Sequence, residues 1–496
     1  MTKRSIAVDM TGHNGLRGAA ALWVMVFHCF SNCDYIIALQ GSSIMPLFFM
    51  LSGFALTVAY HKPAAKPAAD LEMQSTYTAV ATGDDSKEAE VLGSNSSPEP
   101  ATEANVAQPA EAATTDENEL NVYKFHRNRF ARVFPVYYVC NILAIPYWCA
   151  GYGRADPHTW QFPASMIVSL VPVSTLFLNL LGESLDSPAW TVGTLAFMWL
   201  CFPTLLKTTQ QLSDQQLVRR TCNMFWIQLL FILFVFFLLL GTLGFWHAFT
   251  AASMWPPGRL PIFLMGMYAG ELSLRQVGKR YPWQPSFLAL FPPLFCSEDG
   301  CCTFPVNLSS FYHHPISIEE KEAEERDWAS VLDHRSIQIV VMMVIVTGLD
   351  ALTRYATGGF VLGMVWLQGI IPYLQLQIMV ALTRDKGQAK VSQFLRSSSM
   401  QWVGEISACI YLIHYVVIRY TAWAVHQSPI PYAEFYDCSK YNDPEKHADC
   451  ERDVDKFREG TTIPLWSIPI VIAVSMILAT GLYYGVEEPM RKRLRV

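Results

Sequence analysis

The stretch Gly15–Cys29, GLRGAAALWVMVFHC, decides how the rest of the chain is read. Its apolar run is that of a membrane helix, yet it opens on Arg17 and carries His28 well inside. From Arg17 to His28 is 11 residues, about 1100° at 100° per residue. The two side chains therefore share one helix face, about 16 Å apart along the axis. This places Arg17 at the cytoplasmic end of a first span and His28 near the middle of the bilayer. A charge at that depth costs roughly 2.5–3.5 kcal/mol on insertion scales; a histidine escapes the cost by staying neutral. A neutral imidazole in an interior cavity is a competent general base. A packing hydrogen bond to a neighbouring helix accounts for the residue equally well, and helix one alone leaves both readings open.

The composition agrees with a membrane protein. Of 496 residues, 52% are hydrophobic and 16% charged, with a mean hydropathy of +0.23; soluble chains carry about 25% charged residues. The net charge of −6 is unevenly spread. Between Lys62 and Asn121 there are 12 Asp/Glu against 3 Lys, a net of −9, which leaves +3 elsewhere. A mildly basic remainder gives no footing for a nucleic-acid partner. A cleaved signal peptide fits poorly, because Arg17 and His28 interrupt the first apolar run and no clean cleavage site follows. The first helix is read as retained.

A span needs roughly 17–25 apolar residues. Ten segments qualify, near 17–38, 42–60, 133–150, 189–206, 224–246, 260–275, 336–353, 359–382, 403–424 and 463–486. The stretch 165–181 is short and holds Pro172. If it crossed, Lys207, Arg219 and Arg220 would face outward, against the positive-inside tendency. It is therefore read as re-entrant or interfacial. The expectation is an all-α polytopic integral membrane protein of about ten transmembrane helices with both termini cytoplasmic, in the plasma membrane or an endomembrane. Its parts are helices one and two (1–61), a disordered acidic cytoplasmic insert (62–122), helices three to six (123–275), a cytoplasmic loop (276–335) and the C-terminal helices (336–496) with an extracytoplasmic loop at 425–462. The insert is rich in Ala, Glu, Ser, Thr and Pro and nearly lacks large apolar residues. Cys438 and Cys450 in the last loop are a possible disulfide. Cys296, Cys301, Cys302, His313 and His314 fit no standard zinc spacing, so no metal is expected. The sequons at Asn95 and Asn307 fall on cytoplasmic loops and should stay unmodified.

Other polar residues cluster in the apolar segments. RNRFARVFPVYY sets Arg129 and Arg132 at i and i+3, where two guanidinium groups can converge on one anion. Anchoring to lipid headgroups is the competing use, preferred for Arg127. FFMLSGFAL puts Ser52 and Gly53 inside helix two, where glycine admits close backbone approach or local unwinding. His414 lies in YLIH with Tyr411 one turn before it, and both are expected to line a cavity in a structural rather than a chemical role.

At this point the sequence resembles the membrane-embedded acyltransferase 3 family. The pieces that carry the resemblance run in order: GLRGAAALWVMVFH with its R-x10-H, FFMLSGFAL, RNRFARVFPVYY with R-x-x-R, SPAWTVGTLAFMWLCFP, RLPIFLMGMYAG, ISACIYLIHYVVI and VEEPMRKRL. The resemblance implies about ten helices, a cytoplasmic acyl-CoA donor (usually acetyl-CoA) and a hydroxyl acceptor on a sugar, lipid or small molecule. It implies His28 as catalytic base, Arg17 as its motif partner, and Arg129 and Arg132 in the donor site. Direct transfer and a relay through an acylated His28 are both compatible with it. Ser52 is a candidate donor to the developing oxyanion, with helix packing an equally good use of it, and Glu488 before Pro489 is a candidate cap on a cytoplasmic arginine network. Two positions depart from the family pattern: Leu195 and Ile262 stand where acidic residues are usual. They keep open a non-catalytic receptor or scaffold, and intramembrane His and Arg keep open a proton-coupled transporter.

Overall fold

The computed structural model describes residues 8–33, 41–61, 120–152, 161–172, 174–176, 185–243, 245–275, 318–357, 363–426 and 462–494. The acidic insert, the Cys296–His314 cluster, Cys438, Cys450 and both sequons lie outside these residues. Residues 1–60 and 121–496 form one compact unit, and 61–120 a second.

Every regular element among the described residues is helical. That is the solution open to a chain in hydrocarbon, where each backbone N–H and C=O must be paired within the protein. In chain order the helices are α1 Thr11–Ser31, α2 Met45–Tyr60, α3 Val122–Tyr147, α4 Gln161–Leu170, α5 Trp190–Gln210, α6 Asp214–Leu243 and α7 Phe245–Met254. There follow α8 Pro256–Leu274, α9 Ile318–Thr357, α10 Ile371–Arg384, α11 Lys390–Arg396, α12 Ser398–His426, α13 Ile468–Leu482 and α14 Glu488–Leu494.

Among the described residues, six helical stretches are long and apolar enough to cross a membrane: Val122–Ala150, Ser187–Gln210, Asp214–Leu239, Glu325–Leu349, Ser398–His426 and Leu465–Leu494. Their outward faces carry apolar stripes at helical spacing, such as Ile227, Leu230 and Phe234 on α6, or Ile470, Val474 and Ile477 on α13. Ile477 is 70% exposed. Stripes of this size turned away from the core are what lipid contact requires, and the chain is an integral membrane protein.

Three expected segments differ. Helix one begins at Thr11 and ends at Ser31 instead of spanning 17–38. Asn32 ends it by donating from its side chain to the His28 carbonyl at 2.7 Å. His28 is therefore in the last turn of α1 and not at its middle. The charged IEEKEAEERDW stretch, read as part of a loop, is the opening of the 40-residue α9; Glu, Lys and Ala are strong helix formers. The described part of the 359–382 segment is not a uniform α-helix: a π-helical stretch at Met364–Ile370 leads into α10, whose first turn holds Pro372. Among the described residues of the doubtful 165–181 segment are the end of the ten-residue α4 and a short 3-10 turn at Ser174–Leu176. Ten residues reach about 15 Å, half of a hydrocarbon core of roughly 30 Å.

Two helix pairs lie backbone to backbone. The first is α1 with α12, where a Cβ at Gly18 would stand 2.7 Å from the Gly404 nitrogen; one turn earlier, a Cβ at Gly15 would stand 1.9 Å from the Leu395 carbonyl oxygen of α11. On α12, a Cβ at Gly404 would stand 2.3 Å from the Asn14 oxygen. The second pair is α2 with α8. A Cβ at Gly53 would meet the Phe263 oxygen at 2.2 Å, and one at Gly266 the Met50 oxygen at 2.0 Å. Small residues let membrane helices approach this closely, and packing then replaces the hydrophobic drive that lipid removes. Asn14 bonds Gln401 and Arg17 bonds Gly404, while His28 lies against His414. The residue numbers rise together, so α1 and α12 run parallel and in register.

Candidate active site

The register between α1 and α12 builds the site at both ends of α1. At the first end, Arg17 Nη2 donates to Asn14 Oδ1 at 2.9 Å and to the Gly404 carbonyl at 2.7 Å. Arg132, Arg129, Glu487 and Tyr483 are within electrostatic range of it. Arg129 lies over the rings of Tyr60 and Phe125, 6.0 Å from each centroid. Glu487 is 1% exposed, accepts from Cys409 Sγ at 3.4 Å, and has Arg132, Arg17 and Arg491 in electrostatic range. Three guanidinium groups thus gather around one buried carboxylate, an excess of positive charge.

Several polar atoms at this end are buried without a hydrogen-bond partner: Arg17 Nε, Arg129 Nε, Asn128 Oδ1, Thr57 Oγ1 and His13 Nδ1. Leaving such groups unpaired costs about 1–3 kcal/mol each. Together with the excess charge they leave this end of the bundle chemically able to take an anion that also offers hydrogen-bonding groups. His13, one turn before Arg17, bonds the Met379 carbonyl at 2.9 Å through Nε2 and stacks on Phe54 at 4.8 Å.

Just outside this end Asp9 and Arg396 form an ion pair, and the Thr11 amide donates to Asp9 Oδ1 at 2.9 Å. Partial burial pushes the Asp9 carboxyl up. The hydrogen bonds from Thr11 and Arg396 outweigh it and hold the group at about 2.

At the other end of α1, His28 is half-buried, with its ring 5.2 Å from that of His414 and 5.5 Å from that of Tyr415. His414 is fully buried and its Nδ1 is 3.0 Å from the Ile410 carbonyl. A carbonyl only accepts, so in the neutral ring Nδ1 carries the hydrogen and Nε2 the lone pair. Tyr411 stands 6.0 Å from His414 and reaches Met45 Sδ at 3.7 Å. Behind Tyr411 is Asp186, fully buried, with Tyr137 and Tyr147 in electrostatic range.

The structure therefore brings Arg17, Arg129 and Arg132 together, and His28, His414 and Tyr411 together. Ser52 is elsewhere, on the α2 face turned to α5, where its hydroxyl accepts from the Trp199 indole at 3.3 Å. Gly53 serves close approach to Phe263 within an unbroken α2, not unwinding. Glu488 pairs with Lys492 at 2.7 Å, and Arg491 is in electrostatic range. Its neighbour Glu487 is the one that faces Arg17 and Arg132. The sequence reading passed over Glu487, Asn14 and His13. His13 was open to detection, since it precedes Arg17 by one turn on the same face; Glu487 in EEP had no such signal. Leu195 is half-buried and Ile262 wholly buried, so apolar packing occupies both positions.

Compared with known proteins, a family model described as an acyltransferase domain matches residues 11–484. That range takes in Arg17, His28, Arg129, Arg132, Tyr411 and His414, while Glu487, Glu488 and Arg491 lie just beyond it. No curated protein matches the chain, and no solved structure does.

Proposed function

Because the chain belongs to the acyltransferase domain family, we propose that it moves an acyl group from acyl-CoA, with acetyl-CoA the first candidate, to a hydroxyl of a sugar, lipid or small acceptor. The observation that carries this reading is the separation of two chemistries along one helix, an anion-binding cluster at Arg17 and a histidine pair at His28. A donor with a multiply phosphorylated head and a reactive thioester on a long, thin, uncharged arm matches both.

The phosphates are held by Arg129, Arg132 and Arg17, whose guanidinium groups bind phosphate oxygens bidentately. The arm enters the bundle beside α1, and the thioester comes to rest near His28. His28 takes the proton of the acceptor hydroxyl as its oxygen attacks the thioester carbonyl. Collapse of the intermediate forms the ester and releases the thiolate, to which the proton returns. Such a base contributes about 10²–10⁴-fold. The helix directions support ten passes with the Arg17 end in the cytoplasm. The end that holds Arg17 also holds Arg132, Arg275, Arg396 and Arg491, a clustering that follows the positive-inside tendency.

The test is thiol release from acetyl-CoA by purified protein in detergent, with wild type beside His28→Ala and Arg129→Ala/Arg132→Ala. Turnover lost in the first variant and donor binding lost in the second are the expected results. Equal turnover in His28→Ala removes that residue from the chemistry. Wild-type protein that neither binds acetyl-CoA nor releases thiol favours a non-catalytic role, for which the apolar Leu195 and Ile262 are the motivating observation.

A further inference from the structure

We propose that His414 is a proton-holding partner of His28, acting through that ring to keep the proton of the acceptor hydroxyl until the thiolate departs. The inference rests on the acyl-transfer reading above and adds a residue to it. Three observations carry it. His414 is 0% exposed, so its ring is placed in the interior with no water to satisfy it. Its Nδ1–H is taken by the Ile410 carbonyl at 3.0 Å, which fixes the tautomer. Its Nε2 is buried with no hydrogen-bond partner, in a ring 5.2 Å from that of His28. A buried lone pair left bare costs free energy, and a protonated neighbour would relieve that cost.

The proton balance is closed. The acceptor O–H bond breaks as its oxygen bonds the acyl carbon, and the proton passes to His28. The opposite N–H of the His28 imidazolium then hydrogen-bonds to His414 Nε2, and the pair shares the positive charge, supported by the Ile410 carbonyl dipole at Nδ1. When the C–S bond breaks, the proton leaves the pair for the thiolate sulfur, and both rings return to their starting tautomers. The titratable and charged groups around the pair are Tyr411, Tyr415 and Arg419 from α12 itself, Tyr147 from α3, and Asp186 from the turn before α5. Arg419 bonds the Tyr415 hydroxyl at 2.5 Å and lies 4.9 Å over its ring.

The experiment uses full-length protein labelled with ¹⁵N in its histidine rings. The His28 resonances are followed through a pH titration in wild type and in His414→Gln, and the His414 resonances in wild type and in His28→Gln. Interacting sites titrate as a pair, so each curve should move when the other ring is removed. Thiol release from acetyl-CoA should fall at least about tenfold in His414→Gln, a share of the roughly 10²–10⁴-fold that positioned proton transfer contributes. Its pH profile should change shape while acetyl-CoA binding is retained. If His414→Gln fails to fold, the His414 curve in His28→Gln decides the matter. Superimposable curves, or a His414→Gln enzyme with wild-type rate and pH profile, overturn the proposal. A wild type that neither binds acetyl-CoA nor releases thiol sinks the acyl-transfer reading, and the transfer role of His414 with it, even where the rings titrate together.

Discussion

Arg17 has both its neighbours and its charge to offer, and the two separate under substitution. Arg17→Lys keeps the charge, but its shorter side chain does not carry a nitrogen out to the Nη2 position that bonds both Asn14 Oδ1 and the Gly404 carbonyl. It should lower the thermal midpoint in detergent and weaken acetyl-CoA binding by about tenfold, in line with roughly 1.5–3 kcal/mol for hydrogen bonds to charged groups. Glu487→Gln acts in the opposite sense on the ligand. With this buried carboxylate neutralised, the arginine cluster repels itself more and attracts a polyanion more. The expected result is a less stable protein that binds acetyl-CoA more tightly, read by thermal unfolding with and without the donor. Asp9 gives a pH dependence of known sign. Its carboxyl sits at about 2 in the folded protein against an ordinary value of 3.8. The stabilisation it provides is present above pH 4 and is lost as the pH falls through 2. Asp9→Asn should therefore be slightly less stable than wild type at neutral pH, and the gap should close in acid. The Asp9 side chain is 45% exposed, so the effect should be small.

The helices explain what was legible in the sequence. Arg17 and His28 on one face followed from 100° per residue, and α1 delivers it. The end of that helix did not follow, because hydropathy continues to Leu39 while Asn32 and its bond to the His28 carbonyl stop the helix earlier. The pairing of His28 with His414 was equally out of reach. It depends on the parallel register of α1 with α12, which is set by Gly18 and Gly404, almost 400 residues apart. Ser52 and Gly53 show the same limit: the spacing marked them as unusual, but only the packing of α2 on α8 and α5 assigns them. At this scale the test is Gly266→Ala. A Cβ there would meet the Met50 oxygen at 2.0 Å, and a backbone carbonyl cannot swing aside as a side chain can. Overpacking of this kind costs about 1–3 kcal/mol. Gly481, which has open space around the corresponding position, should tolerate the same change in the same melting assay.

For the whole molecule, the direction of each helix is the quantity that links fold to function. α1, α3, α6, α9 and α12 run one way, and α2, α5, α8, α10 and α13 the other, as the paired residues along them require. The Arg17 end should then face the cytoplasm, and the loop at 427–461 the opposite side. An Asn-x-Ser sequon engineered into that loop should be glycosylated in a eukaryotic host, while Asn95 and Asn307 stay bare; modification of either would invert or break the arrangement. The parallel clamp of α1 on α12 has one more consequence. Since Gly18 and Gly404 leave no play between the two backbones, the span from the arginine cluster to the histidine pair is a fixed gauge, about 16 Å along the axis. The protein would then measure its donor by length and not by the acyl group it bears. Acyl groups of different size could be accepted, while a carrier whose arm is one methylene shorter or longer would present its thioester to the wrong atoms.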